Sequence, residues 1–239
     1  MQRKYIYANL EKLDNLVFAY GIDQSDFVHG IKRLPANLVS LVGVDDNEHA
    51  VNAHTGLNVI NDENEIRRYL LQSHALPVKW LDYDEVGDLD FLTATEIAEL
   101  LYLGHMDRPI RSPFNYKLRN HYVFLEQRNG GIKVYFYYIS AFSHVLSAAI
   151  VRHTLAAYRG RRMFMRSLSV PRVPEAILKQ LVQLMPDVCS CTLISQWFGN
   201  ANYWCRCTRR RQAMKSKFLI PLVVERIGEP TMSRPLLLT

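Results

Sequence analysis

Asn129-Gly130 lies between two runs of β-branched and aromatic residues, 121–127 and 132–139. The dipeptide accepts positive φ at both central positions of a turn, so 121–139 reads as a β-hairpin closed by a two-residue loop. That loop pairs Gln127 with Ile132, Glu126 with Lys133, Leu125 with Val134, Phe124 with Tyr135, Val123 with Phe136 and Tyr122 with Tyr137. Moving the turn to Gly130-Gly131 loses the Glu126–Lys133 pair, and a cross-strand charge pair contributes about 0.2–1 kcal/mol. The expected core face is Val123, Leu125, Ile132, Val134 and Phe136. The opposite face carries Tyr122, Phe124, Glu126, Lys133, Tyr135 and Tyr137. Such an aromatic face either stacks bases or packs under a helix or second sheet with its hydroxyls at the rim.

Around this hairpin the charge is segregated. Residues 1–102 hold 8 Lys+Arg against 17 Asp+Glu, and residues 103–239 hold 21 against 6. An imbalance of that size suggests an anionic partner for the basic part, or docking of the two parts on each other. The division suggests an acidic, mainly helical region over 1–104 and a basic, strand-rich α+β region over 121–227. Hairpins at 121–139 and 188–208 mark the second region, and 228–239 reads as a flexible tail. The two regions can equally belong to one domain.

Along the acidic region, Leu10, Leu13 and Val17 have helical spacing and predict a helix over 8–20 stopped by Gly21. Ser25 or Asp26 can cap a short helix through Ile31. Asn61-Asp62 with Glu65 starts another, residues 78–83 alternate as a strand, and Thr93 with Glu96 is a capping box. In the basic region Ser140 opens a helix to about Tyr158 with Phe142, Val145, Leu146, Ala149, Ile150 and Ala156 inward. Pro174 starts a further helix, and 218–224 reads as a strand. Antiparallel hairpins with helices, and no repeated βαβ rhythm, give the class α+β.

Chemistry is sparsely signposted. The chain contains no P-loop, Gly-x-Gly-x-x-Gly, Gly-x-Ser-x-Gly, His-Glu-x-x-His or Cys-x-x-Cys pattern, so no cofactor is implied. His105, Asp107, Arg108 and His121 flank the join between the regions, where they form either a cleft for an anion or a hydrated connector. Asp45, Asp46, Glu48, His49 and His54 offer hard and imidazole donors but no metal spacing. Cys189, Cys191, Cys205 and Cys207 suggest zinc, yet Cys-x-Cys on a strand separates the pair by about 6.5–7 Å at Cα, and zinc sites use turns. Buried thiols are the simpler reading.

The first functional expectation is a cytoplasmic binding protein contacting nucleic acid or another polyanion. Arg161, Arg162, Arg166, Arg209, Arg210 and Arg211 would hold phosphates, and Tyr135, Tyr137, Trp197 and Trp204 would stack bases. The second is an enzyme acting on an anionic small molecule in a cleft between the regions. The third is an interaction module forming a homo-oligomer. No apolar run is long enough to suggest a membrane span, and no export signal is apparent, so the four cysteines are expected as reduced thiols.

Overall fold

From Tyr5 to Tyr20 the inward side chains recur at every second residue. Ile6, Ala8 and Leu10, then Val17 and Ala19, are buried, which is the alternation of strands. The computed structural model describes residues 5–11, 13–42, 50–105, 112–159, 189–195 and 203–209. It forms an antiparallel pair here, β1 (Tyr5–Glu11) and β2 (Leu16–Tyr20), in place of the predicted helix. Leu13, which the helix needs on its buried side, is 93% exposed in the connecting turn. Asn15 closes that turn at φ +51°, a left-handed conformation that asparagine tolerates.

The chain continues through α1 (Gln24–Gly30), β3 (Asn37–Ser40), β4 (Ala50–Val51), β5 (Asn58–Ile60), α2 (Glu63–Leu71) and β6 (Lys79–Tyr83). A 3-10 helix (Val86–Phe91), α3 (Ala94–His105), β7 (Tyr122–Glu126), β8 (Gly131–Phe136) and α4 (Phe142–Arg159) follow, then β9 (Cys189–Ser195) and β10 (Tyr203–Arg209). Among the described residues the ten strands form one antiparallel sheet, in the order β10-β9-β1-β2-β8-β7-β6-β3-β5-β4. Sheet and helices together are an α+β architecture. The segment expected as mainly helical carries β1 to β6 beside α1, α2 and α3. The predicted helix after Pro174, the strand over 218–224 and the tail over 228–239 lie outside the described residues.

The helix starts follow local chemistry. Asp62 accepts the backbone N–H groups of Asn64 and Glu65 at 2.9 and 3.0 Å. The Thr93–Glu96 box closes both ways, with Thr93 N–H to Glu96 Oε2 at 2.7 Å and Glu96 N–H to Thr93 Oγ1 at 3.3 Å. These bonds satisfy donors that a helix start leaves open. The cap of α1 is Asp23, two residues before the earlier of the two predicted caps, and Asp26 returns a bond to its N–H at 3.0 Å.

The sheet is covered on both faces. On one, Leu10, Val17, Val134, Phe124, Trp80 and Ile60 form part of the floor beneath α1, α2 and α4. Phe27 of α1 anchors that layer, edge-on to Phe124 at 5.2 Å and stacked with Phe136 at 5.7 Å. On the other, Leu16, Val39, Leu81, Val123 and Tyr135 pack with Leu89, Leu92, Leu100, Leu103 and Leu118.

The Asn129-Gly130 hairpin exists, but one residue out of the predicted register. Its ladder sets Glu126 opposite Ile132, Leu125 opposite Lys133, Phe124 opposite Val134, Val123 opposite Tyr135 and Tyr122 opposite Phe136. Gly130 has φ +72° and Asn129 does not share it. Gln127 N–H donates to Gly131 O at 2.8 Å and Gly130 N–H to Gln127 O at 2.8 Å. This is a three-residue loop, Arg128-Asn129-Gly130, with one left-handed glycine. The one-residue difference exchanges partners across the sheet. Phe124 thereby joins Val134 and Phe136, and Tyr135 joins Val123 on the opposite face.

Candidate functional site

Beneath the α1–α4 layer, at the end of β6 where β7 begins, a cavity of about 750 Å³ opens. Its walls come from three places. Residues 31–36 leave α1, residues 82–84 leave β6 opposite Arg119, His121 and Tyr122, and Tyr138, Ser140, Ala141, Ser143 and His144 lead into α4. A cavity of this size accommodates a small organic ligand.

Asp82 is the unusual group in it. Position 82 shares the helix-covered face with Trp80, and in the ladder it lies opposite Leu38, so alternation puts a carboxylate where an apolar side chain is ordinary. Only 8% of its side chain is exposed. Its Oδ1 accepts the backbone N–H groups of His121 at 2.9 Å and Tyr122 at 2.6 Å, bonds that offset part of the burial cost. Its Oδ2 stands 3.7 Å from His121 Nδ1. Burial pushes the Asp82 carboxyl above its ordinary value, against the opposing pull of His121 and the two N–H groups. The Asp82 carboxylate beside it raises His121 above the usual imidazole value, with Asp84 adding to the effect. With Nδ1 turned to Asp82, Nε2 has no partner among the described residues. A carboxylate that orients an imidazole in a cleft is the arrangement of a proton donor or acceptor.

The cations of the cavity fall into two kinds. Arg119, held at φ +51°, is taken up by carboxylates: Nη1 lies 3.2 Å from Asp84, and Nη2 lies 3.2 Å from Glu85 and 3.0 Å from Asp88. Lys32 and Arg33 are exposed and have no carboxylate partner among the described residues. They supply positive charge to the cavity, as does the N-terminal end of α4. Tyr138, which lines the same cavity, is 65% exposed, with its ring 4.8 Å edge-to-face from Tyr137. Tyr137 in turn meets His121 at 5.7 Å and Phe114 at 5.5 Å.

The sequence-predicted residues are distributed differently. Of His105, Asp107, Arg108 and His121, His121 alone lines the cavity among the described residues. His105 ends α3, which packs on the other face of the sheet, and its Nδ1 donates to Leu101 O at 2.9 Å. Asp107 and Arg108 lie outside the described residues, as do Asp45, Asp46, Glu48 and His49. His54 Nε2 donates to Leu92 O at 2.7 Å. Tyr135 cannot stack a base, because it is 1% exposed beneath the α3 layer; Tyr137 is 49% exposed and stays accessible.

The ladder sets Cys191 opposite Cys207, Cys205 opposite Leu193 and Cys189 opposite Arg209. The side chains of these residues, and of Trp204, lie outside the described set, as do Trp197, Arg161, Arg162, Arg166, Arg210 and Arg211 altogether. Among the described residues no group of three or more His, Cys, Asp or Glu could hold a metal ion. No described helix is long and apolar enough to cross a membrane.

Asp82, Lys32, Arg33 and Tyr138 were not singled out by spacing or motif. Asp82 had a signal: in Lys79-Trp80-Leu81-Asp82-Tyr83 it shares parity with Trp80, and an acid on the buried parity of a strand marks a candidate site. The comparisons add no likeness: no family model, no curated protein and no solved structure matches this chain.

Proposed function

We propose that this chain binds an anionic small molecule in the cavity between the α1–β3 loop and the start of α4, and that His121 exchanges a proton with it. The observation carrying this reading is the buried Asp82 carboxylate facing His121 on the cavity wall. A titratable pair with displaced pKa values in a cavity of about 750 Å³ is a functional-site signature. The sign of the ligand follows from the unpaired cations. Arg119 is shared by Asp84, Glu85 and Asp88, whereas Lys32 and Arg33 have no carboxylate partner among the described residues and are left to neutralise a guest.

The test is NMR of the histidine side chains during titration with inorganic phosphate and with citrate. Binding is expected to shift the His121 signals and raise its titration midpoint, and Lys32→Ala with Arg33→Ala to weaken that binding. His121 signals that ignore both anions at millimolar concentration would overturn the reading.

A second reading keeps the polyanion, favoured by the 21 Lys+Arg against 6 Asp+Glu over 103–239. The hairpin β9–β10 ends the sheet and carries Arg206 and Arg209 on its outermost strand. Oligonucleotide binding that weakens steeply with salt supports this reading, and binding absent at low salt excludes it.

A further inference from the structure

Resting on the anion-binding reading above, we infer that the ligand of this cavity is a mononucleotide: a phosphate held by Lys32 and Arg33 and a base laid against Tyr138. The cations explain only one end of a guest. The other end faces an aromatic surface whose exposure folding alone does not account for. Tyr137 and Tyr138 follow β8 and are 49% and 65% exposed, and Tyr138 lines the cavity.

They are also held in place. Tyr138 sits edge-to-face on Tyr137 at 84°, and Tyr137 sits at 84° to Phe114 and 69° to His121. Such contacts restrict the rings before any ligand arrives, so less side-chain freedom is lost when a flat guest stacks. An aromatic platform beside a positive wall is the pairing that nucleotides select, since every base has a π-face and every nucleotide a phosphate.

The cavity lining also offers a partner for a sugar. Asp84 gives Oδ2 to Arg119 and is half-exposed, and its Oδ1 has no partner among the described residues. A carboxylate oxygen so placed accepts hydrogen bonds from a ribose diol. His121 Nε2 lies on the same wall and can donate to a phosphate oxygen when the ring is charged. The cavity volume of about 750 Å³ exceeds what one nucleotide fills and leaves room for bridging water.

Isothermal titration calorimetry of the full chain with adenosine monophosphate, ribose 5-phosphate and inorganic phosphate tests this inference. Adenosine monophosphate is expected to bind at least about tenfold more tightly than ribose 5-phosphate, the size of one base–aromatic stack. Tyr138→Ala should close that gap and Tyr138→Phe should keep it, while Lys32→Ala with Arg33→Ala weakens all three. Circular dichroism melts confirm that each variant is folded. Equal affinity for the nucleotide and the sugar phosphate would overturn the mononucleotide and leave the anion site standing. A gap that survives Tyr138→Ala would overturn the placement of the base. No binding of any of the three would remove both readings.

Discussion

Asp82 occupies a position that strand alternation assigns to an apolar side chain, and its hydrogen bonds make it tolerable there. Its other oxygen faces the His121 imidazole, with Oδ2 3.7 Å from Nδ1. Because the carboxylate holds the imidazolium, His121 has a raised pKa in the folded chain, and its NMR titration midpoint is expected above the ordinary value near 6.5. Asp82→Asn should bring that midpoint back down. The sign for stability follows: a group with a raised folded pKa contributes fully below its unfolded value and loses that contribution as pH rises through the folded one. Urea midpoints should therefore fall from about pH 6.5 upward, and fall less in Asp82→Asn. Identical pH profiles for the two proteins would show that the pair carries no coupling. Gly130 gives a second prediction at this level. At φ +72° a side chain costs about 1 kcal/mol, so Gly130→Ala should lower stability by that amount in urea unfolding.

The contact between α1 and α4 depends on a missing side chain. A Cβ on Gly30 would stand 2.5 Å from Val145 Cα and 2.7 Å from its N, both backbone atoms that cannot rotate away. Gly30→Ala should separate the helices and cost about 2–3 kcal/mol. The same junction is tied by Arg152, which forks onto Asp26 at 2.8 and 2.7 Å and reaches Gly21 O at 3.0 Å. Asp26 is buried, so Arg152→Ala strands a carboxylate and should cost about 3 kcal/mol. Calorimetric melting measures both, and Asp26→Asn should recover part of the Arg152→Ala loss. Elements of this kind differ in how far the residues announce them. The Thr93–Glu96 box is readable because a cap is a bond between neighbours in sequence, and most inward residues of α4 are readable from their helical spacing. The β1–β2 pair is not, because Leu10, Leu13 and Val17 fit a helix and only pairing with β8 and β9 decides for strands. The hairpin loop shows the same limit: Asn-Gly announces a turn, but pairing of β8 with β2 as well as β7 accompanies the three-residue form.

Those long-range pairings also decide what the charge division means for folding. Acidic and basic segments invite separate units, yet β7 and β8, from beyond residue 120, lie between β2 and β6 in the sheet. Without them β1–β2 and β6–β3–β5–β4 have no common edge, and Val17, Trp80 and Leu81 each lose one of their two cross-strand neighbours. The candidate site has the same character: Lys32, Arg33 and Asp82 come from the segment before residue 105, and His121 and Tyr138 flank the two inserted strands. It could not be seen in any local spacing for that reason. A chain truncated after residue 105 is therefore expected not to fold, since it keeps strands on both sides of a two-strand gap and leaves three formerly paired edges, on β1, β2 and β6, open. Its far-ultraviolet circular dichroism should show no cooperative thermal transition, whereas co-expression with residues 106–239 should restore one if the pieces reassemble. A truncated chain that melts cooperatively by itself would mean that the acidic segment closes its own sheet. The cavity would then have to form by docking of two finished units, with His121 and Tyr138 delivered to Asp82 across an interface.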